Sequence, residues 1–497
     1  MKPSVNGVAR SGVLAMLGLI ALGGTRIIHG ILINRATDNE TFGLVGVLIG
    51  IGMTAGLFLP GGLASAASKF IPFHRGRGDH DAAGTVYAGL RWTGIASALL
   101  LGLVVGVGSA FILDLSWGNT IAVGLFTAVF SMYSVEKGAL YGFDRAAPYA
   151  KLEIAGSVVA VLTTVVVVVA GLHTYLAPLI IGYSVLILGA WVVLRRRHTP
   201  VPVERAHRRE IGEYVLLASV GGLASAGLLQ LLPLMAKFFT TPIEVSYFAA
   251  ATVLVTPLYF LPRALGMALF PAMAHAHGAG DTDAVRRHAD LSTRALLVLL
   301  APLFGVAVVI AHEVLLVFGG GRYIPGTSVL QLLLVATYLA GIQVAAVNAL
   351  SSGTPQEVRI PVTSAVIGAV LGLVVLVPLG LTMGSVGVGL AYLIGVGAGA
   401  AGPIVATWRR YDMAWTSPLV RSLFAVVVAL AVGLVMDGVG LGGATRILLD
   451  LALAVLVLVA AGLLLRTDIT GIVKLIKPAK QTSRAAPVTR EAQEQES

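Results

Sequence analysis

The sequence predicts an all-α membrane protein of about 14 transmembrane helices, arranged as two six-helix lobes in a parallel pseudo-two-fold repeat with two extra C-terminal helices. Three observations predict it. Of 497 residues, 57% are hydrophobic and only 12% charged, with a mean hydropathy of +0.90, whereas soluble domains carry about 25% charged residues. Apolar runs recur from end to end, each long enough to cross about 30 Å of hydrocarbon as a helix. Finally, two spaced marks occur twice: Phe58-Leu59-Pro60 and "GDHDA" (Gly78–Ala82) return as Phe260-Leu261-Pro262 and "GDTDA" (Gly280–Ala284), each 202 residues on.

Helices follow from the solvent. Hydrocarbon offers backbone N–H and C=O groups no partners, so each span must satisfy its own. The spans fall at roughly 10–33, 42–65, 83–112, 119–141, 149–172, 174–196, 211–236, 243–268, 290–312, 326–350, 360–380, 384–408, 417–437 and 444–467. The first is longer than a signal-peptide core and lacks a small-residue cleavage site, which predicts a retained helix.

Charge sets the orientation. Of 34 Lys and Arg, three lie inside spans; only Arg35, Lys237, Arg322 and Arg446 fall in one set of loops, leaving 27 for the other. The positive-inside rule then predicts both termini in the cytoplasm and a multi-pass protein of the cytoplasmic membrane. The net charge of +10 is spread along that inner face, so no nucleic-acid partner is expected. The lipid bilayer is the first partner.

Both Gly-Asp marks fall in inner loops, after the second and eighth spans. Six spans separate them, an even number, so the two units share one orientation. The chain therefore divides into an N-terminal lobe (1–205), a C-terminal lobe (206–412), two additional helices (413–467) and a basic tail (468–497) expected to be disordered. The longest inner loop, "RRRHTPVPVERAHRRE" (Arg195–Glu210), joins the lobes and suits anionic headgroups.

Ionisable groups inside hydrocarbon are costly, about 2.5–3.5 kcal/mol for Arg on the insertion scale, so each needs a reason. Arg26 and His29, in "GGTRIIHGILIN", share a helix face at i,i+3 spacing. Arg263 lies in the eighth span directly after the second Phe-Leu-Pro. Arg91, about two turns into the third span, is expected to snorkel to the inner headgroups. None of the twelve Asp or twelve Glu falls near the middle of a span. A cation- or proton-coupled transporter usually carries a mid-depth carboxylate, so a net-positive site is predicted instead. Such a site suits an anionic substrate, and arginine's planar fork suits phosphate.

Other classes find little support. No cysteines exist to form disulfides or thiolate metal sites. No GxxxxGK[ST] occurs, "GIGMTAG" (Gly50–Gly56) sits in an apolar span and reads as close helix packing, and nothing arranges Ser, His and Asp for catalysis. His275 and His277 read as turn composition, so no metal or other cofactor is expected and the protein is not predicted to be an enzyme.

Four stretches carry a likeness to a known family: "NRATDNETFGLVGVLIGIG" (Asn34–Gly52), "YFLPRALGMALFPAMAHAHGAGDTDAVRRH" (Tyr259–His288), "VFGGGRYIPGTSVLQLL" (Val317–Leu333) and "GSVGVGLAYLIG" (Gly384–Gly395). Over about residues 10–410 the chain resembles the polysaccharide-export flippases of the multidrug/oligosaccharidyl-lipid/polysaccharide exporter superfamily, more in hydropathy than in fixed letters. The resemblance implies two lobes around a V-shaped central cavity, and fourteen spans resemble the lipid-linked sugar branch. Arg26 matches a cationic position that such flippases place in the cavity; Arg263 matches the helix but no fixed motif position. The implied function is translocation of a polyprenyl-diphosphate-linked oligosaccharide by alternating access, with Arg26, His29 and Arg263 on the diphosphate and polysaccharide-assembly proteins as further partners. A multidrug or small-molecule exporter on the same fold is the alternative.

Overall fold

In the computed structural model the two Gly-Asp marks do the same local work. Asp79 caps helix α4 (His80–Leu113) at φ −87°, ψ 78°, its carboxylate accepting the Ala82 N–H at 2.9 Å. Asp281 caps α11 (Thr282–Val309) at φ −85°, ψ 81°, accepting the Ala284 N–H at 2.8 Å. An aspartate at this position satisfies one of the four orphan N–H groups of a helix start and places negative charge at its positive end. The repeat read from the sequence is therefore a repeat of helix starts.

The structure describes residues 5–76, 79–195, 201, 204–259, 262, 265, 273, 281–351, 355–439 and 442–470. Gly78, Gly280, Phe260, Leu261, residues 196–200 and 202–203 of the Arg195–Glu210 connection and the tail from 471 lie outside them, as do His275, His277 and Arg263.

Every element among the described residues is helical. The N-terminal half runs α1 (Val5–Ala36), α2 (Asn39–Leu57), α3 (Leu59–Gly76), α4, α5 (Trp117–Gly142), α6 (Ala146–Val169) and α7 (Ala177–Val193). The C-terminal half runs α8 (Arg205–Gly222), a π-helical turn (Leu223–Gly227), α9 (Leu228–Lys237), α10 (Pro242–Val255), a 3-10 turn (Thr256–Tyr259), α11, α12 (Ala311–Gly319), a second 3-10 turn (Gly321–Gly326), α13 (Thr327–Ile342), α14 (Val344–Ser351) and α15 (Pro355–Arg410). Helices α16 (Thr416–Gly438) and α17 (Gly443–Leu464) follow.

Eleven helical segments among the described residues are long and apolar enough to cross a membrane. One of them, Arg359–Arg410, is interrupted at Gly384 (φ 55°, ψ −130°), between the predicted eleventh and twelfth spans. The sixth predicted span appears as the 17-residue apolar helix Ala177–Val193, and the eighth is described as far as Tyr259 in α10 and its 3-10 turn, with Pro262 and Leu265 beyond.

The first Phe-Leu-Pro mark is a break. The second predicted span is two helices, because Phe58 leaves helical geometry (φ −61°, ψ −104°) two residues before Pro60. Proline lacks an N–H and crowds the preceding turn, so the chain bends there. The second copy falls after the helix tightens into 3-10 at Thr256. The glycines of "GIGMTAG" do serve close packing. A Cβ on Gly50 would stand 2.0 Å from the Gln230 carbonyl oxygen, so α2 and α9 approach backbone to backbone.

The extra pair is anchored at both ends. Trp415, fully buried just before α16, donates its indole N–H to Asp290 of α11 at 2.8 Å. Arg294 holds the same carboxylate at 2.9 Å, and Tyr338 of α13 shares a hydrogen bond with Ser422 of α16. At the other end Arg446 of α17 is buried on Asp437, Asp450 and the Met436 carbonyl.

Candidate substrate cavity

Arg26 and His29 do share a face of α1, and both line a cavity of about 60 Å³ bounded by α1, α2, α7, α9 and α10. Apolar walls come from Ile33, Val45, Ile49 and Met53; the other polar walls come from Tyr183, Gln230, Thr252 and Thr256. No Asp or Glu is among the described lining residues. Helix spacing produces this: three residues is nearly one turn, so both side chains stand one above the other.

The two residues are held differently. The Arg26 guanidinium donates to the Tyr183 hydroxyl at 3.3 Å. His29 Nδ1 lies 3.0 Å from the Thr164 hydroxyl, which itself donates to the Ala160 carbonyl at 2.7 Å. Thr164 has spent its one proton, so it accepts from His29 Nδ1–H. His29 Nε2 is buried without a partner among the described residues. In the neutral ring that nitrogen carries a lone pair; to donate to an anionic oxygen it must first take up a proton.

Behind this wall stands a carboxylate that sequence reasoning set aside. Glu153 lies only seven residues into α6, yet it is 4% exposed and accepts the Tyr133 hydroxyl at 2.9 Å. Tyr133 packs on Tyr183 at a centroid distance of 4.6 Å, and the Glu153 charge reaches Arg26. Proximity to a helix end does not mean proximity to water when that end packs across α1. The cavity wall thus carries one guanidinium and one neutral imidazole, with an acid a layer behind.

Arg91 corrects a second expectation. It does not extend alone toward headgroups: its guanidinium lies 3.7 Å from Glu136 and 4.4 Å from the centre of the Trp191 ring. Glu136, fully buried, also accepts the Tyr87 hydroxyl and the Trp191 indole N–H, each at 2.8 Å. A carboxylate two turns from the end of α5 gave Arg91 a better partner than water. Arg263 lies outside the described residues, so two of the three predicted substrate-binding residues are seen together.

Tyr183, Gln230 and Thr252 were missed. Each is a polar group in an otherwise apolar stretch, as in "LLQLLPLM". The same cost argument that singled out Arg26 applies to them at lower magnitude.

Contacts between the two halves lie on either side of the cavity. Where α1 ends, Arg322 donates to the Asn34 and Thr37 carbonyls and to the Asn34 side chain, while Asn34 and Arg35 donate to the Phe318 and Val317 carbonyls at 3.3 Å each. Phe42, Phe318 and Tyr323 interlock edge to face beneath this clasp. Toward the Asp79 end, α3 lies on α8, where His74 Nε2 and His207 Nε2 stand 3.0 Å apart and Lys69 lies over the Tyr214 ring. The enclosed volume holds a few waters, far less than any sugar.

No protein-family model and no curated protein matches the chain. Solved structures do. A lipid II flippase, MurJ, in an inward closed conformation matches with TM-score 0.65 at 14% identity, over 92% of this chain and 100% of that one. An inward-facing multidrug resistance MATE family transporter matches with TM-score 0.65 at 15% identity, over 81% and 98%. A MOP superfamily transporter from Pyrococcus furiosus, described as having a binding pocket of reverse polarity, matches with TM-score 0.56 at 16% identity, over 82% and 95%. The chain has the MOP transporter fold. With that fold and its apolar helices it is a multi-pass membrane protein. The superfamily likeness read from the sequence is thereby supported at the level of fold.

Proposed function

We propose that the protein is a flippase moving a polyprenyl-diphosphate-linked oligosaccharide across the cytoplasmic membrane by alternating access. The observation that carries this reading is the cavity itself: a guanidinium and an unpartnered imidazole nitrogen on one helix face, with no acid among the lining residues. Such a set stabilises a diphosphate, the guanidinium by two parallel charge-assisted hydrogen bonds and the imidazole after protonation. Arg263 is the proposed third cation. A solved protein of the same fold is a lipid II flippase, which supports lipid-linked cargo. Opening requires residues 1–205 and 206–412 to rock apart about the Arg195–Glu210 connection, alternately breaking the Arg322 clasp and the α3–α8 contact.

The second reading, export of small apolar molecules, draws on the apolar walls and on the multidrug transporters that share the fold. Cationic drugs fit it poorly, because the Arg26 guanidinium on the wall repels them. Purified protein in liposomes separates the readings. A diphosphate-linked polyprenyl sugar should cross the bilayer at a rate proportional to protein, and a free diphosphate ester should inhibit. Drug flux without lipid-sugar flux would favour the exporter. In cells, deletion should leave a lipid-linked sugar on the inner leaflet.

Orientation has its own test. Cysteines replacing His80 and Thr282, beside the two capping aspartates in a chain without other cysteines, should resist impermeant thiol reagents in intact cells. Asn39→Cys, at the clasp end, should react. Labelling of either inner position would reverse or break the fourteen-span topology and both cytoplasmic termini.

A further inference from the structure

The clasp at Arg322 is mounted on α12, a nine-residue helix with an unusual foundation. Its far end supplies the Val317 and Phe318 carbonyls that hold α1. Its first turn carries Glu313, whose two carboxylate oxygens are shut off from solvent and find no side-chain donor among the described residues. Glu313 faces Asp450 of α17, fully buried, whose Oδ1 also lacks a donor while Oδ2 accepts from Arg446 at 2.5 Å. The other charged or titratable groups there are Arg446 on α17, Asp437 on α16 and His312 on α12 itself.

Arg446 is already committed: it holds Asp450, Asp437 at 2.8 Å and the Met436 carbonyl. Three carboxyls surround one guanidinium, and Arg446 makes no hydrogen bond to Glu313. Two carboxylates facing each other without a donor are repulsive, and a buried unpaired charge is costly. One proton removes both problems, since a protonated carboxyl donates to its ionised neighbour. Burial and the neighbouring Asp450 push the Glu313 carboxyl up to about 7, consistent with that geometry.

We propose that Glu313 and Asp450 bind one proton between them, and that this site, acting through α12, holds the Arg322 end of the cavity shut. The ligand is a proton taken from the aqueous phase on that side, which the charge bias assigns to the outside. Loss of the proton pushes Glu313 off α17; α12 moves with it and withdraws the two carbonyls that grip Asn34 and Arg35. The site lies outside the substrate cavity and serves a flippase or an exporter equally. It gives the transporter a way to read, and to draw on, a proton gradient.

The sign follows from linkage. A carboxyl raised from 4.5 to about 7 in the closed state binds more protons there than in an open, solvated state. The closed state is favoured at low pH and loses that preference as pH rises through about 7, by at most about tenfold per pH unit.

The test uses purified full-length protein in lipid nanodiscs, where orientation in the cell does not matter. Ile33→Cys, buried behind the clasp in a cysteine-free chain, reports opening by its rate of modification with a small thiol reagent. Glu313→Gln, which keeps a donor at every pH, carries the same reporter and cancels the thiol's own pH dependence. The rate ratio of the Glu313 protein to Glu313→Gln should stay near one at pH 5 and rise about tenfold by pH 8. A ratio that stays constant from pH 5 to 8 would overturn the proposal. Should Glu313→Gln fail to accumulate, amide exchange of residues 311–319 in the otherwise unaltered protein decides. After correction for intrinsic rates, protection should fall as pH rises from 5 to 7 and level off above, and unchanged protection from pH 5 to 8.5 overturns it.

Discussion

Arg26→Ala is expected to reduce translocation about 100-fold while the protein still inserts and accumulates. The magnitude follows from the pair of charge-assisted hydrogen bonds to a diphosphate, about 3 kcal/mol together. Folding should tolerate the change, because the group lost is a cation whose one hydrogen bond goes to Tyr183. Arg26→Lys should recover only part of the rate, since an ammonium keeps the charge but loses the fork. Tyr183→Phe frees the guanidinium without removing it and should cost little. Transport rates in liposomes, normalised to reconstituted protein, check all three. Full activity in Arg26→Ala would move the diphosphate site away from α1.

The second large effect is on stability. Glu136→Ala should destabilise the N-terminal half by about 3–5 kcal/mol, because it strips three groups of their shared acceptor in a fully buried position. Those groups are the Tyr87 hydroxyl, the Trp191 indole and the Arg91 guanidinium. Glu136→Gln retains one acceptor oxygen and should lose roughly half as much. Thermal unfolding of detergent-solubilised protein, followed by fluorescence-detected size exclusion, reads the difference. An Arg91→Met/Glu136→Leu pair should be more stable than Glu136→Ala alone, since no charge is then left unpaired. Equal melting temperatures for native protein and Glu136→Ala would refute the network's structural role.

Much of this architecture was legible in the residues because bilayers leave few choices. Length, apolarity and loop charge identify the apolar helices, whereas the Gly-Asp marks, read as inner-loop turns, prove to be capped helix starts. Arg26 and His29 were legible for the same reason: cost in hydrocarbon demands a function, and i,i+3 spacing demands a common face. What was not legible was lateral. Which acid lies beside which base depends on how helices pack, and no period in the chain encodes that. Arg91 and Glu136 are 45 positions apart in the sequence, and Glu153 reaches Arg26 only because α6 crosses α1. The breaks at Phe58 and in the π-helical turn before α9 were likewise hidden, since an apolar run reads the same whether straight or bent.

The glycine at 384 bears on how the protein is made. Its backbone angles suit the first corner of a II′ turn, which a side chain resists, so α15 folds back on itself within one residue. The two arms meet along glycines: a Cβ on Gly368 would stand 2.4 Å from the Gly395 carbonyl oxygen, and one on Gly387 1.9 Å from that of Leu379. Residues 355–410 thus form a hairpin whose arms pair with each other within one continuous stretch of chain. Contacts of that kind form early, so the insertion machinery can release this pair into the bilayer as one zipped object. A bulky residue at Gly395 would deliver two separate helices instead, and its damage would show as degradation during synthesis, before transport could be measured.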